Sequence, residues 1–105
     1  MDPRSVHGKT DALQIIDVRE HGEWKAGHID GAQHIPMGEI PTRLDEIDDD
    51  KPLVAICRSG TRSAQVTVFL RDKGFDIENL EGGMKVWAKA GLPIEDANGR
   101  PGRVV

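Results

Sequence analysis

The chain has 105 residues, with 14 Lys and Arg against 18 Asp and Glu, a formal net charge of −4 and one cysteine. That length suits a single domain with its own core, and a lone thiol excludes both a disulfide scaffold and a cysteine-rich zinc site. The mildly acidic balance excludes nucleic-acid binding by bulk charge, and no apolar run reaches the roughly 18 residues of a membrane span. The start, Met1-Asp2-Pro3-Arg4-Ser5, also lacks the apolar stretch of a signal peptide, so a cytoplasmic location is expected, and the chain is expected to be a monomer.

Residues 1–11 are polar and aperiodic, which predicts a loose segment in which Val6 could add a short edge strand. Leu13-Gln14-Ile15-Ile16, running into Asp17-Val18, predicts the first buried strand. Glu20–Ala26 reads as a short helix stopped by Gly27, and Gln33-His34-Ile35 as a weaker strand. Met37–Ile47 places Ile40, Leu44 and Ile47 at helical spacing and predicts a helix with one apolar face. Leu53-Val54-Ala55-Ile56-Cys57 is continuously apolar, the pattern of a strand buried on both faces in a parallel sheet. Thr61–Lys73 predicts the longest helix, ended by Gly74, and Ile77–Leu80 another weak strand. Gly83–Ala90 predicts a last helix before Gly91. Residues 96–105 are rich in breakers and predict a second loose end, leaving a core of about 13–95 within a single domain spanning 1–105. Strand and helix in alternation argue for an α/β domain with a mainly parallel sheet.

The chemistry concentrates in Cys57-Arg58-Ser59-Gly60-Thr61-Arg62-Ser63. A buried strand ends at Cys57, a tight loop follows, and a helix begins at Thr61 or Arg62. Ligands bind beyond the carboxyl ends of strands in such sheets, and the first N–H groups of a helix are unpaired and electropositive. Gly60 permits the curling that aims several N–H groups at one sulfur, while Arg58 and Arg62 add positive charge. Each feature favours thiolate over thiol, so Cys57 reads as a nucleophile rather than a small core residue.

The same residues resemble a single-domain rhodanese-like sulfurtransferase. Leu13 to Glu20, then Trp24 with Gly27-His28-Ile29-Asp30-Gly31-Ala32 and Ile35-Pro36, are similar to the family's first two motifs. Cys57 to Ser63 is similar to its active-site loop. Leu80-Glu81-Gly82-Gly83-Met84 with Trp87 and Gly91-Leu92-Pro93 is similar to its closing motif. The resemblance implies a three-layer α/β/α fold with a five-stranded, mainly parallel sheet. It also implies transfer of a sulfane sulfur, through a Cys57 persulfide, from thiosulfate or another donor to a thiophilic acceptor such as cyanide or a thiol. No cofactor and no metal is implied. The partners it implies are a small anionic sulfur donor and a thiol or protein-cysteine acceptor. The related dual-specificity phosphatases carry Cys-x5-Arg, whereas Cys57 to Arg62 is Cys-x4-Arg, a smaller ring better suited to one sulfur than to a phosphate.

On this reading Cys57 is catalytic, and Arg58, Ser59, Gly60, Thr61 and Arg62 bind substrate, the hydroxyl residues mainly through backbone N–H groups. Arg62 stays open between donor binding and an ion pair with a carboxylate such as Glu20, and Ser63 reads as a helix cap. Asp17, Arg19, Glu20 and His28 read as structural support rather than acid–base machinery, because a low-pKa thiolate needs no general base. His7, His21 and His34 lack metal-ligand spacing, Trp24 and Trp87 suit the core or its lip, and Asp45, Glu46, Asp48, Asp49 and Asp50 form a solvated acidic turn. A persulfide carrier for a protein partner, and a cysteine-based phosphatase or arsenate reductase, are the competing functions.

Overall fold

The computed structural model describes residues 1–105. In chain order its elements are α1 (Pro3–His7), β1 (Gln14–Asp17), α2 (His21–Ala26), β2 (Gln33–His34), two 3₁₀ segments (Met37–Thr42 and Leu44–Glu46), β3 (Leu53–Ile56), α3 (Thr61–Asp72), β4 (Ile77–Asn79) and α4 (Gly83–Lys89). The four strands are all parallel, in the order β2-β1-β3-β4.

The run from Leu53 to Cys57 explains the layering. Successive side chains of a strand point to opposite faces, so Leu53, Ala55 and Cys57 enter one apolar cluster while Val54 and Ile56 enter another. The first cluster lies under α3 and the 3₁₀ segments and includes Ile40, Val66 and Leu70. The second lies under α1 and α4 and includes Val6, Met84 and Trp87. Both faces of the sheet are therefore covered, which gives the three-layer α/β/α arrangement. Helix α3 turns Ser63, Val66, Thr67 and Leu70 inward at spacings of three and four, and Val68 on its outer face is 69% exposed.

The sheet has four strands rather than five. Val6 supplies no edge strand, because Asp2 and Pro3 start a helix there. The Asp2 carboxylate accepts the Ser5 N–H at 3.0 Å and the Ser5 hydroxyl at 2.9 Å, and Pro3 takes the first helical position, where no N–H is needed. On the carboxyl-terminal side, extended pairing is limited to single antiparallel bridges, His28 with Glu95 and Glu95 with Pro101. Neither end is loose. Val6 is fully buried, the His7 ring meets Trp87 edge-on at 5.8 Å, and the Arg103 N–H donates to the Ala26 carbonyl at 2.9 Å. The short α1 buries only its one apolar side chain, which explains why periodicity failed to reveal it.

Met37–Ile47 is a pair of 3₁₀ segments rather than an α-helix. Pro41 has no N–H for an α-helical ladder and its ring crowds the preceding turn, so the chain tightens instead while still burying Ile40.

Register fixes where the chemistry emerges. Gln14 lies opposite Leu53 and Asp17 opposite Ile56, and the Val18 N–H donates to the Ile56 carbonyl at 3.0 Å. The carboxyl ends of β1 and β3 thus open side by side on one rim of the sheet.

Candidate active site

Cys57 is the residue after β3, with 1% of its surface exposed, and its thiol is free. The loop that follows is shaped by where its carbonyl groups go. The N-terminus of α4 takes two of them: the Met84 N–H donates to the Cys57 carbonyl at 2.8 Å, and the Lys85 N–H to the Arg58 carbonyl at 3.0 Å. The Gly60 carbonyl accepts the Ala64 N–H at 3.0 Å and the Asn79 side-chain amide at 3.1 Å. With these carbonyls fastened outward, N–H groups are left to face the sulfur. The Gly60 N–H donates to Cys57 Sγ at 3.0 Å and the Ser63 hydroxyl at 3.3 Å.

Two glycines make this close packing possible. Gly60 adopts φ +103, a left-handed conformation that side chains disfavour. A Cβ at Gly83 would come within 2.3 Å of the Cys57 carbonyl oxygen and 2.7 Å of that of Arg58, so only glycine lets α4 approach the loop.

Burial pushes the Cys57 thiol up. Hydrogen bonds from the Ser63 hydroxyl and from the backbone N–H groups of Ser63, Gly60 and Ser59 outweigh it and hold the thiol below its ordinary range.

A second polar cluster lies at the end of β1. Asp17 and Arg19 are both fully buried. Arg19 grips the Asp17 carboxylate with Nε at 3.0 Å and Nη2 at 2.8 Å, and donates to the Gly27 carbonyl at 2.7 Å and the Glu23 carbonyl at 3.4 Å. This arrangement ties strand end, α2 and the turn at Gly27 together. His28 extends it through Nδ1, 2.7 Å from the Trp24 carbonyl oxygen, and stacks on the Trp24 ring at 3.7 Å. The opposite face of Trp24 carries His34, whose Nε2 lies 2.7 Å from the Arg19 carbonyl oxygen.

Arg62 joins the two clusters, and its partner is Glu23 rather than Glu20. The guanidinium meets both Glu23 oxygens at 2.7 and 2.8 Å. The hydrogen bond from Arg62 holds the Glu23 carboxyl below the usual carboxylate range despite partial burial. Glu20 is exposed and precedes the first turn of α2, its own N–H donating to Glu23 Oε1 at 3.1 Å. Arg58 is exposed at the rim and donates through Nε to the Val105 carbonyl at 3.0 Å. Ser59 and Thr61 are also exposed there. An open groove of about 530 Å³ runs beside the loop, lined by Ser59, Gly60, Thr61, Gln65, Asn79 and Glu81.

Three residues of this site escaped the sequence reading. Ser63 is fully buried against the sulfur instead of capping α3, because Gly60 is the residue preceding that helix. Glu23 carried a signal in its three-residue spacing from Glu20 at a helix start. Asn79 carried none, since its contact with Gly60 depends on how β4 sits beside β3.

Residues 4–90 match the family model described as the rhodanese-like domain. The Bacillus subtilis (strain 168) protein YtwF, which carries a sulfurtransferase name, is 49% identical over 75 residues, covering 71% of this chain and 73% of its own. A protein of Allochromatium vinosum named sulfurtransferase is 41% identical over 86 residues, covering 81% of this chain and 80% of its own. The crystal structure of a rhodanese-related protein from Thermoplasma volcanium superposes with a TM-score of 0.86 at 31% identity, over 90% of this chain and 94% of that one. With a parallel sheet covered on both faces and a cysteine loop between β3 and α3, the chain belongs to the rhodanese-like domain family.

Proposed function

We propose that the protein is a sulfurtransferase that carries a sulfane sulfur as a persulfide on Cys57. The observation that carries this reading is the sulfur cradle, in which N–H and O–H donors at 3.0 and 3.3 Å meet a thiol held below its ordinary range. The Cys57 thiolate attacks the outer sulfur of thiosulfate, forming a new S–S bond as the old one breaks, and sulfite leaves with the bonding pair. A nucleophilic acceptor, cyanide or a thiolate, then attacks the terminal sulfur, and the Cys57 thiolate leaves. One transfer becomes two substitutions at sulfur, and the same donors hold the anion before and after each. Neither step requires a metal or an organic cofactor. Arg58 at the exposed rim attracts the anionic donor, and the Ser59 and Thr61 backbone completes the mouth.

Arg62 weighs against phosphate or arsenate chemistry. In a phosphate-binding loop the arginine must be free to hold oxygens, and here both arms of its fork are taken by Glu23. With one cysteine in the chain, no second thiol can resolve the persulfide, so the acceptor comes from outside, as a reducing cytoplasmic setting would supply.

Intact-mass measurement after incubation with thiosulfate tests the reading. The protein gains one sulfur atom, cyanide discharges it, and Cys57→Ser gains nothing. A protein that stays unmodified by thiosulfate, mercaptopyruvate and polysulfide would not be a sulfurtransferase. A protein that loads sulfur but yields it only to a protein thiol would be a carrier.

A further inference from the structure

We propose that Asn79 is a positioning residue for the Cys57 thiolate, holding the Gly60 peptide so that its N–H stays on the sulfur. The proposal rests on Cys57 being the sulfur-bearing nucleophile.

Gly60 is a weak point of the cradle. It has no side chain to resist rotation, it adopts φ +103, and no side-chain cap fixes the start of α3 there. Its N–H nonetheless donates to Cys57 Sγ, at 3.0 Å. Its carbonyl is anchored on one side by the Ala64 N–H, which belongs to α3 itself and moves with the loop. The other anchor is Asn79 Nδ2 at 3.1 Å. Asn79 is the last residue of β4, paired with Ala55 of β3, so this second anchor belongs to the sheet. Between Cys57 and the start of α3, it is the one side chain that hydrogen-bonds a loop carbonyl.

The other end of the Asn79 amide shows what this bond is for. Asn79 Oδ1 is buried without a hydrogen-bond partner. Flipping the amide would not help, because Oδ1 would then face the Gly60 carbonyl, acceptor against acceptor. An orphaned buried acceptor is destabilising, and an apolar side chain would avoid it. What the amide provides in return is its hold on Gly60.

The test is the pH dependence of Cys57 alkylation by iodoacetamide in wild type, Asn79→Leu and Asn79→Asp, with thermal midpoints recorded in parallel. The apparent thiol pKa rises by about half a unit or more in Asn79→Leu, and by at least as much in Asn79→Asp, which keeps the size but sets a carboxylate against the Gly60 carbonyl. Below both pKa values, persulfide formation from thiosulfate slows by about threefold and recovers at alkaline pH, where the thiolate is restored. A lowered midpoint with an unchanged thiol pKa would make Asn79 merely structural and overturn the proposal. Asn79→Ala, which removes the amide without adding charge, decides the question if Asn79→Leu is not recovered folded. A wild-type thiol that titrates in the ordinary range would instead overturn the nucleophile reading on which the proposal rests.

Discussion

β1 and β3 run side by side in the same direction; β1 ends in, and β3 is directly followed by, a buried side chain able to carry negative charge. Asp17 is 0% exposed and Cys57 1% exposed. Asp17 is met by a full counter-charge, the Arg19 guanidinium, whose arms engage both carboxylate oxygens. Cys57 is met by dipoles: the Ser63 hydroxyl, the N–H groups of the loop and the N-terminus of α3. A bidentate ion pair saturates its carboxylate and makes a rigid corner of the fold. Partial charges stabilise an anion without consuming it, so the sulfur keeps lone pairs for chemistry. The same location on the sheet rim thus gives a strut at one strand and, on the function proposed above, a nucleophile at the next, according to how each anion is solvated.

The largest effect should come from breaking the strut. Asp17→Asn leaves Arg19 buried with its charge uncompensated, and we expect a loss of about 3–5 kcal/mol in denaturant unfolding. A loss under about 1 kcal/mol would mean that the pair contributes little to the corner. Cys57→Ser should do the reverse, abolishing sulfur loading while changing stability by about 1 kcal/mol at most. Persulfide chemistry surviving in that variant would contradict the assignment of the nucleophile.

Removing one cradle donor tests the dipole side. Ser63→Ala should raise the Cys57 pKa by about one unit, read from alkylation rate against pH. The sign of the accompanying stability change follows from linkage. Because folding lowers the thiol pKa, its stabilisation is fully present above the ordinary value of about 8.5 and is lost as pH falls through the folded-state value. The deficit of Ser63→Ala in unfolding free energy should therefore grow with rising pH, and a deficit flat with pH would argue against charge stabilisation by Ser63. The smallest effect belongs to the link between the two regions. Glu23→Gln leaves Arg62 unpaired near the sulfur, and the KM for an anionic donor should fall by about two- to threefold at low salt, less at high salt. An increased KM would mean that Glu23 holds Arg62 where the donor needs it.

The sequence exposed whatever was local. Cys57, Gly60 and the start of α3 lie within one short stretch, and the unbroken apolar run of β3 announced a sheet covered on both faces. Helix type at Met37–Ile47 turned on one residue, Pro41, against a correct apolar spacing. Val6 was hidden because a five-residue helix is too short to show a period, although Asp2-Pro3 marked its start. The partners of the loop were illegible for a different reason. Glu23 is 39 residues from Arg62, and Asn79 is 19 from Gly60, so these bonds exist only once strand order and register bring them together.

The fastening of the loop carbonyls to Asn79, Met84 and Lys85 makes the acidity of Cys57 a reporter of folding. A chain in which the last third has not docked has nothing to hold those carbonyls, and its cysteine is an ordinary thiol, mostly protonated and slow to react at neutral pH. The lowering of the thiol pKa is therefore expected only once α4 seats against the loop. The apparent thiol pKa in rising denaturant should then climb with the loss of α4 docking, even where the β1–β3 pair persists.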